Sequence, residues 1–273
     1  MTEVIREFLS FQFVQRALIG GVLVSLCAAL LGVNLVLKRY SMIGDGLSHV
    51  GFGALAVASA MNLAPLALAV PVVVLAAFLL LRLSENSKIK GDSAIAMIST
   101  GALAAGVLVL SLVSGMNTDV YSYLFGSILA MSSSDVKMTA ALSIIVLILY
   151  LFFYNKIFAV TFDEAFAKAT GIRANFYNLV LAFLTAVTIV LGMRMMGTLL
   201  ISSLTIFPAL TSMRVCKNFR GVVIHSACIS IVCFLIGILI SYLYNTPVGA
   251  SIVVTNMAAF LLYSIAGKIM RKR

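Results

Sequence analysis

Charged residues are scarce in this chain, and that scarcity decides its class. Only 10% of the 273 residues are charged, whereas 62% are hydrophobic. A soluble domain usually carries about 25% charged and about 45–50% apolar residues, and a soluble fold of this length could not bury the excess. We therefore expect an integral membrane protein. The net charge of +10 then reports membrane topology, and binding of nucleic acid is not expected.

Several motifs of enzymes and of disulfide-rich proteins are also missing. The four cysteines contain no CxxC pair, so neither a disulfide framework nor a thiolate zinc site is indicated. No GxxxxGK[ST] loop occurs, so the chain cannot bind ATP in that way by itself. Neither HExxH nor GxSxG occurs. The sequence thus gives no support for an enzyme, and transporters and channels remain.

Long apolar runs fill almost the whole chain. A membrane helix needs about 20 apolar residues, and suitable runs lie near residues 14–37, 43–62, 64–83, 92–115, 136–155, 176–193, 196–213, 221–244 and 249–267. The sequence therefore predicts an all-α integral membrane protein with one transmembrane domain over residues 1–273, a polytopic bundle of eight or nine transmembrane helices. The shorter apolar stretch Val120–Met131 is predicted to be re-entrant or interfacial.

The positive charges predict the orientation. If Lys38 and Arg39 are cytoplasmic and the runs alternate from there, 15 of the 19 cations fall on the cytoplasmic side. This distribution satisfies the positive-inside rule. We expect a multi-pass protein of the cell membrane (the inner or cytoplasmic membrane) with a cytoplasmic C-terminus.

The longest polar connection, residues 156–175, contains the pattern of a short helix. Asp163 and Glu164 stand at its start, Lys168 near its end and Gly171 at its stop, as in a capped helix. The sequence predicts this helix between two pieces of loop. A solvated loop without further function is an equal alternative from these residues alone.

One pair of residues combines charge, chemistry and spacing within an apolar run. Of the nine acidic residues, eight lie in connections or at the ends of apolar runs. Only Asp45 lies within one, near its start, and His49, one of two histidines, follows four residues later. Residues i and i+4 share one face of a helix, so both side chains point the same way. Carboxylate and imidazole together suit Zn²⁺, Mn²⁺ or Fe²⁺. Two copies of the helix about a two-fold axis would supply four ligands, whereas the alternative is an Asp that caps the helix and a His paired to a neighbour.

Other polar or sulfur-containing residues are weaker candidates. Pro208 should bend its helix, and hydroxyl groups around it could line a polar pathway or bond the backbone; the pathway-lining candidates are Ser202, Ser203, Thr205 and Pro208. His225 is more simply an interfacial residue. The methionines of segment 193–196 could bind a soft metal, but without a repeated array they are better explained by packing.

Four separated segments together resemble the permease subunits of zinc/manganese ABC importers. They are Lys38–His49 (KRYSMIGDGLSH), Asp163–Ile172 (DEAFAKATGI), Gly197–Ala209 (GTLLISSLTIFPA) and Pro247–Val254 (PVGASIVV). The likeness covers nearly the whole chain, and the segments follow the family's order. One departure is the Ser-Leu-Thr of residues 203–205, where the family often has Ala-Leu-Leu.

The resemblance implies partners and residue roles. It implies a homodimer bound to two cytoplasmic ABC ATPase subunits and served by an extracellular or periplasmic metal-binding protein. It implies that Asp45 and His49 coordinate the transported divalent ion during passage, with no permanently bound cofactor. It also implies that the segment carrying Asp163, Glu164, Ala167, Lys168 and Gly171 is a coupling helix that docks into the ATPase.

The expected function is therefore a divalent-metal permease, for Zn²⁺ first and Mn²⁺ next. Two carboxylates and two imidazoles suit both ions, so the ligands do not separate them. Two alternatives stay open: a siderophore- or cobalamin-type ABC permease, and a secondary cation carrier coupled to protons through Asp45 and His49. Such siderophore permeases are usually longer, and a secondary carrier would need no coupling helix.

Overall fold

The fold is a bundle of helices. The computed structural model describes residues 10–86, 91–112, 126 and 133–271. Within these ranges the regular structure is α-helical, and the helices are α1 (Gln12–Leu37), α2 (Ile43–Ala60), α3 (Pro65–Asn86), α4 (Gly91–Leu112), α5 (Ser133–Phe162), α6 (Glu164–Ala169), α7 (Ala174–Met196), α8 (Thr198–Ser212), α9 (Phe219–Tyr244) and α10 (Val248–Arg271).

Every predicted apolar run corresponds to a helix, and the predicted all-α membrane bundle is confirmed. Among the described residues, α1, α4, α5, α7, α9 and α10 are long and apolar enough to cross a membrane, while α3 and α8 contain shorter apolar helices. α2 has 18 residues and lies between α1 and α3 in the chain. The predicted re-entrant segment Val120–Met131 lies outside the described residues, apart from Gly126.

The centre of the bundle is built around α1 and α7. In their most apolar stretches, 72% of residues are buried in α1 and 78% in α7, against 17% in α4. α1 packs closely on α8 because Gly32 has no side chain: a Cβ there would lie 1.9 Å from the carbonyl oxygen of Thr205. This close approach holds α8 against α1.

Two short breaks turn the chain within the bundle. Gly197 separates α7 from α8 with φ 84° and ψ 166°, a conformation that is essentially restricted to glycine. α2 ends at Ala60, and α3 begins at Pro65, a residue that suits the first turn of a helix. Both breaks fall where neighbouring apolar runs of the sequence almost touch.

The predicted loop on the N-terminal side of the short polar helix is wrong. α5 continues to Phe162, and the short helix α6 follows after the single residue Asp163. Residues 156–162 remain helical because the apolar residues Ile157 and Val160 are buried, so the helix has a packed face well beyond the apolar run. On the other side, only four residues separate α6 from α7.

A buried polar cluster ties α1 to α5. Asn34 Nδ2 donates to the hydroxyl oxygen of Tyr150 at 3.0 Å and to the carbonyl of Leu30 at 3.1 Å. The hydroxyl of Thr161 donates to Asn34 Oδ1 at 3.2 Å. Because buried polar groups are costly without partners, these bonds fix how the two helices align.

Candidate functional site

Asp45 and His49 lie on one face of α2, as their spacing predicts. His49 Nε2 is 3.6 Å from Asp45 Oδ2, and the two side chains are 20% and 36% exposed, respectively. The other ring nitrogen of His49, Nδ1, is buried and has no hydrogen-bond partner among the described residues. A carboxylate and an imidazole thus converge at a point that some solvent or a ligand can reach.

Asp45 does not cap its helix. The N-cap position belongs to Met42, which makes no side-chain capping bond. Asp45 lies in the first turn, where its negative charge is favoured by the helix dipole. Its carboxylate therefore remains available to bind something outside α2.

Ser202 of α8 contacts the candidate ligand pair. Its hydroxyl lies 3.3 Å from Asp45 Oδ1 and 3.1 Å from the carbonyl oxygen of Thr198, and it can donate to either. Groups that hydrogen-bond a metal-binding carboxylate orient it and tune its affinity. Ser202, predicted as a pathway residue, is thus brought to Asp45 by the packing of α8 beside α2.

The other predicted pathway residues lie on α8 without contacting Asp45 in this way. Thr205 is buried and donates to the carbonyl of Ile201 at 2.8 Å. Ser203 is buried, and its hydroxyl has no hydrogen-bond partner in the part of the chain that the structure describes. Pro208 is also buried, and α8 continues through it to Ser212. Their role in a pathway stays a prediction.

The remaining sequence candidates are placed elsewhere. Met193, Met195 and Met196 are buried in the hydrophobic core at 1–4% exposure, so the packing interpretation holds. His225 lies on α9, and its ring centroid is 5.5 Å from that of Tyr263 on α10. All four cysteines are free.

The short helix α6 is capped as the sequence predicts. Asp163 is its N-cap, and its carboxylate accepts a hydrogen bond from the backbone N–H of Phe166 at 2.9 Å. Lys168 lies in its last turn, and Gly171 follows with φ 83°. Ala167 is fully buried against Val160 of α5 and Ala174 of α7, which seats the helix on the bundle.

Glu164 connects α6 to two other helices through residues that the sequence analysis missed. Its Oε2 accepts a hydrogen bond from Asn178 Nδ2 at 3.1 Å and lies 3.4 Å from Lys38 Nζ. Lys38 Nζ also donates to Asn178 Oδ1 at 2.5 Å. We call Lys38, Glu164 and Asn178 the Lys38 junction. The sequence carries one signal for it, a lysine at the very end of an apolar run.

The charges around Glu164 favour its ionised form. Burial alone would raise the pKa of this carboxyl group, but hydrogen bonds from Lys168 and Asn178 and the charges of Lys38 and Lys168 together lower it. Lys168 Nζ lies 2.8 Å from Glu164 Oε1. The Lys38 junction therefore contains a carboxylate at neutral pH, placed beside the amino group of Lys38.

The candidate ligand pair of one chain is small. Among the described residues there is no group of three or more His, Cys, Asp or Glu side chains that could hold a metal ion. Asp45 and His49 supply one oxygen and one nitrogen donor, whereas stable zinc sites use three or four protein ligands. The pair can bind an ion weakly alone or more firmly when a second pair faces it.

Relatives of known description match almost the full chain. The manganese import system permease protein ScaB of Streptococcus gordonii is 30% identical over 262 residues, which cover 94% of this chain and 94% of ScaB. The high-affinity zinc uptake system membrane protein ZnuB of Haemophilus influenzae is 29% identical over 252 residues, covering 92% of this chain and 97% of ZnuB.

A solved structure and a family description agree with these relatives. The structure of PsaBC from Streptococcus pneumoniae in complex with Fab matches with a TM-score of 0.86 and 31% sequence identity, over 96% of this chain and 94% of that chain. Residues 10–267 match the ABC 3 transport family. The resemblance found in the four sequence segments is confirmed, and the chain belongs to the ABC 3 transport family.

Proposed function

We propose that this chain is the membrane-spanning subunit of an ABC importer that carries Zn²⁺ or Mn²⁺ into the cell. The observation that carries the proposal is the pair on α2, in which Asp45 Oδ2 and His49 Nε2 are 3.6 Å apart. The names of ScaB and ZnuB support both ions.

Two copies of the chain complete the metal site in this proposal. A two-fold axis beside α2 would bring together two Asp45 carboxylates and two His49 imidazoles. This N₂O₂ set contains no thiolate, so it binds a divalent ion without holding it irreversibly. The ion is cargo, and the chain keeps no permanent cofactor.

The helix α6 is the docking point for the ATPase in this proposal. Beside its capped start, Phe162 and Phe166 are 73% and 65% exposed, which offers aromatic anchors of the kind enriched at protein interfaces. One ATPase subunit binds each permease copy on the cytoplasmic side, where most cations of the sequence fall. An extracellular or periplasmic metal-binding protein delivers the ion on the opposite side.

ATP-driven uptake in proteoliposomes tests the proposal. The chain is reconstituted with its ATPase subunit and supplied with the metal-binding protein that delivers the ion, and entry of ⁶⁵Zn²⁺ or ⁵⁴Mn²⁺ is followed with and without ATP. Asp45→Asn and His49→Leu should each abolish uptake while the ATPase subunit still binds. The control is His225→Leu, since His225 is the other histidine and lies against Tyr263.

The alternatives give different outcomes in the same assay. Uptake driven by a proton gradient in vesicles without the ATPase would identify a secondary carrier. Uptake of a chelated metal, with no entry of the free ion, would identify a siderophore-type permease. Wild-type uptake in either site variant would contradict the role of Asp45 and His49.

A further inference from the structure

Lys38 is the more buried of the two charged residues of the Lys38 junction. It is the C-cap residue of α1, and its side chain is only 9% exposed. An ammonium group in so little water is costly unless a carboxylate and hydrogen-bond acceptors stay beside it. A displacement of Glu164 with α6 therefore favours a matching displacement of Lys38.

The segment after Lys38 is short and internally bonded. The backbone N–H of Tyr40 donates to the carbonyl of Leu35 at 2.8 Å, and that of Ile43 donates to the carbonyl of Tyr40 at 3.0 Å. Arg39 between them has φ 63°. Such a short, hydrogen-bonded turn is stiff, so a displacement of the end of α1 also displaces the start of α2.

The start of α2 carries the candidate metal ligand. Asp45 follows Lys38 by seven residues in the sequence and accepts a bond from Ser202 of α8. A shift of α2 relative to α8 changes this contact and the position of both metal ligands. One continuous path of packed and bonded groups thus runs from α6 to Asp45.

We propose that the Lys38 junction is the joint through which movement of α6 reaches Asp45 and His49. Lys38 and Asn178 act as positioning residues: they touch neither ATP nor the ion, and they make α6 and α2 move together. This inference rests on the proposed function, in which α6 docks the ATPase and α2 binds the metal. The competing explanation is that Glu164 serves only as the counter-charge of a buried lysine.

A double substitution distinguishes the two explanations, in which the Lys38 junction either transmits movement or only neutralises a buried lysine. Lys38→Met and Glu164→Gln each break the pair, and either single change leaves an altered balance of buried charge. Lys38→Met combined with Glu164→Gln removes both charges, which relieves the penalty for an unpaired ion. Lys217→Met is the matched control, because Lys217 is an exposed lysine in the α8–α9 connection.

The readout is the amount of ⁶⁵Zn²⁺ or ⁵⁴Mn²⁺ taken up per ATP hydrolysed by the reconstituted complex, a ratio that does not depend on how much protein folds. The joint predicts at least a tenfold fall in this ratio for both single variants and for the double variant, with continued ATP hydrolysis and ATPase binding. Lys217→Met should stay within twofold of wild type.

Full recovery of the ratio in the double variant would overturn the joint and leave Glu164 as a counter-charge. If the double variant does not fold, Glu164→Asp decides, because it keeps the charge but withdraws the carboxylate by one methylene group. A ratio at the wild-type level in Glu164→Asp would likewise contradict the joint. A wild-type complex that moves no metal would overturn the proposed function itself, and this inference with it.

Discussion

Replacing Gly32 by alanine should separate α8 from α1 and destabilise the bundle. The new Cβ would lie 1.9 Å from the carbonyl oxygen of Thr205 and 2.8 Å from its carbonyl carbon. Ordinary contact begins at 3.4 Å, so the two helices must move apart by about 1.5 Å. The obstacle is backbone, which cannot rotate away as a side chain can. Overpacking of this kind costs about 1–3 kcal/mol.

The matched control is Gly44→Ala, which meets the same residue across a wider gap. A Cβ on Gly44 would lie 3.8 Å from Thr205 Cγ2, which is ordinary contact. Both changes add one methyl group inside a helix, and alanine is favoured over glycine there by about 1 kcal/mol. The two variants differ mainly in the space beside Thr205, and also in helix position, since Gly32 lies inside α1 and Gly44 is the second residue of α2.

Thermal unfolding of the purified protein in detergent measures the difference. Gly32→Ala should unfold at a clearly lower temperature than wild type, and Gly44→Ala at the same temperature or higher. The shift of α8 should also draw the Ser202 hydroxyl away from Asp45 and weaken metal binding. Equal unfolding temperatures for Gly32→Ala and Gly44→Ala would refute the close packing of α1 on α8.

Three further predictions concern single contacts. Ser202→Ala removes a hydrogen-bond partner of Asp45 and should lower metal affinity about 10–100-fold. Titration of the metal against a fluorescent chelator measures this affinity. The control is Thr188→Val, which loses only a hydrogen bond to Leu184 within α7. Tyr150→Phe leaves Asn34 Nδ2 without one of its two acceptors and should cost about 1 kcal/mol of stability, seen as a lower unfolding temperature. Folding lowers the pKa of Glu164 below its ordinary value of 4.5. Its ionised form therefore stabilises the fold above about pH 4.5, and this contribution is lost as the pH falls through the lowered pKa. The difference in unfolding temperature between wild type and Glu164→Gln should shrink over that pH range, and a constant difference would contradict the prediction.

The helices and the close placement of Asp45 and His49 were predictable because both depend on local spacing. Apolar runs of membrane length specify helices with little regard to their neighbours. Asp45 and His49 are four residues apart, and any α-helix places such residues on one face. The cap of α6 by Asp163 is likewise local, since it involves a backbone N–H three residues away.

The contacts around these features were not predictable, since they join distant parts of the chain. Ser202 is 157 residues from Asp45, and Lys38 is 126 residues from Glu164 and 140 from Asn178. No periodicity in the sequence fixes which helix packs beside which. The end of α5 was missed for a related reason. Residues 156–162 were predicted to belong to a polar loop, but the tertiary packing of Ile157 and Val160 keeps this segment helical.

The most direct test of the metal site is the zinc K-edge absorption spectrum of Zn²⁺ bound to the purified permease–ATPase complex. The expected spectrum shows a shell of oxygen and nitrogen at about 2.0–2.2 Å with imidazole scattering, and metal analysis of the same sample should give one ion for every two permease chains. His49→Leu should remove the imidazole signal, whereas His225→Leu should leave it unchanged. A sulfur shell at about 2.3 Å, or an imidazole signal that survives in His49→Leu, would contradict the assignment of Asp45 and His49.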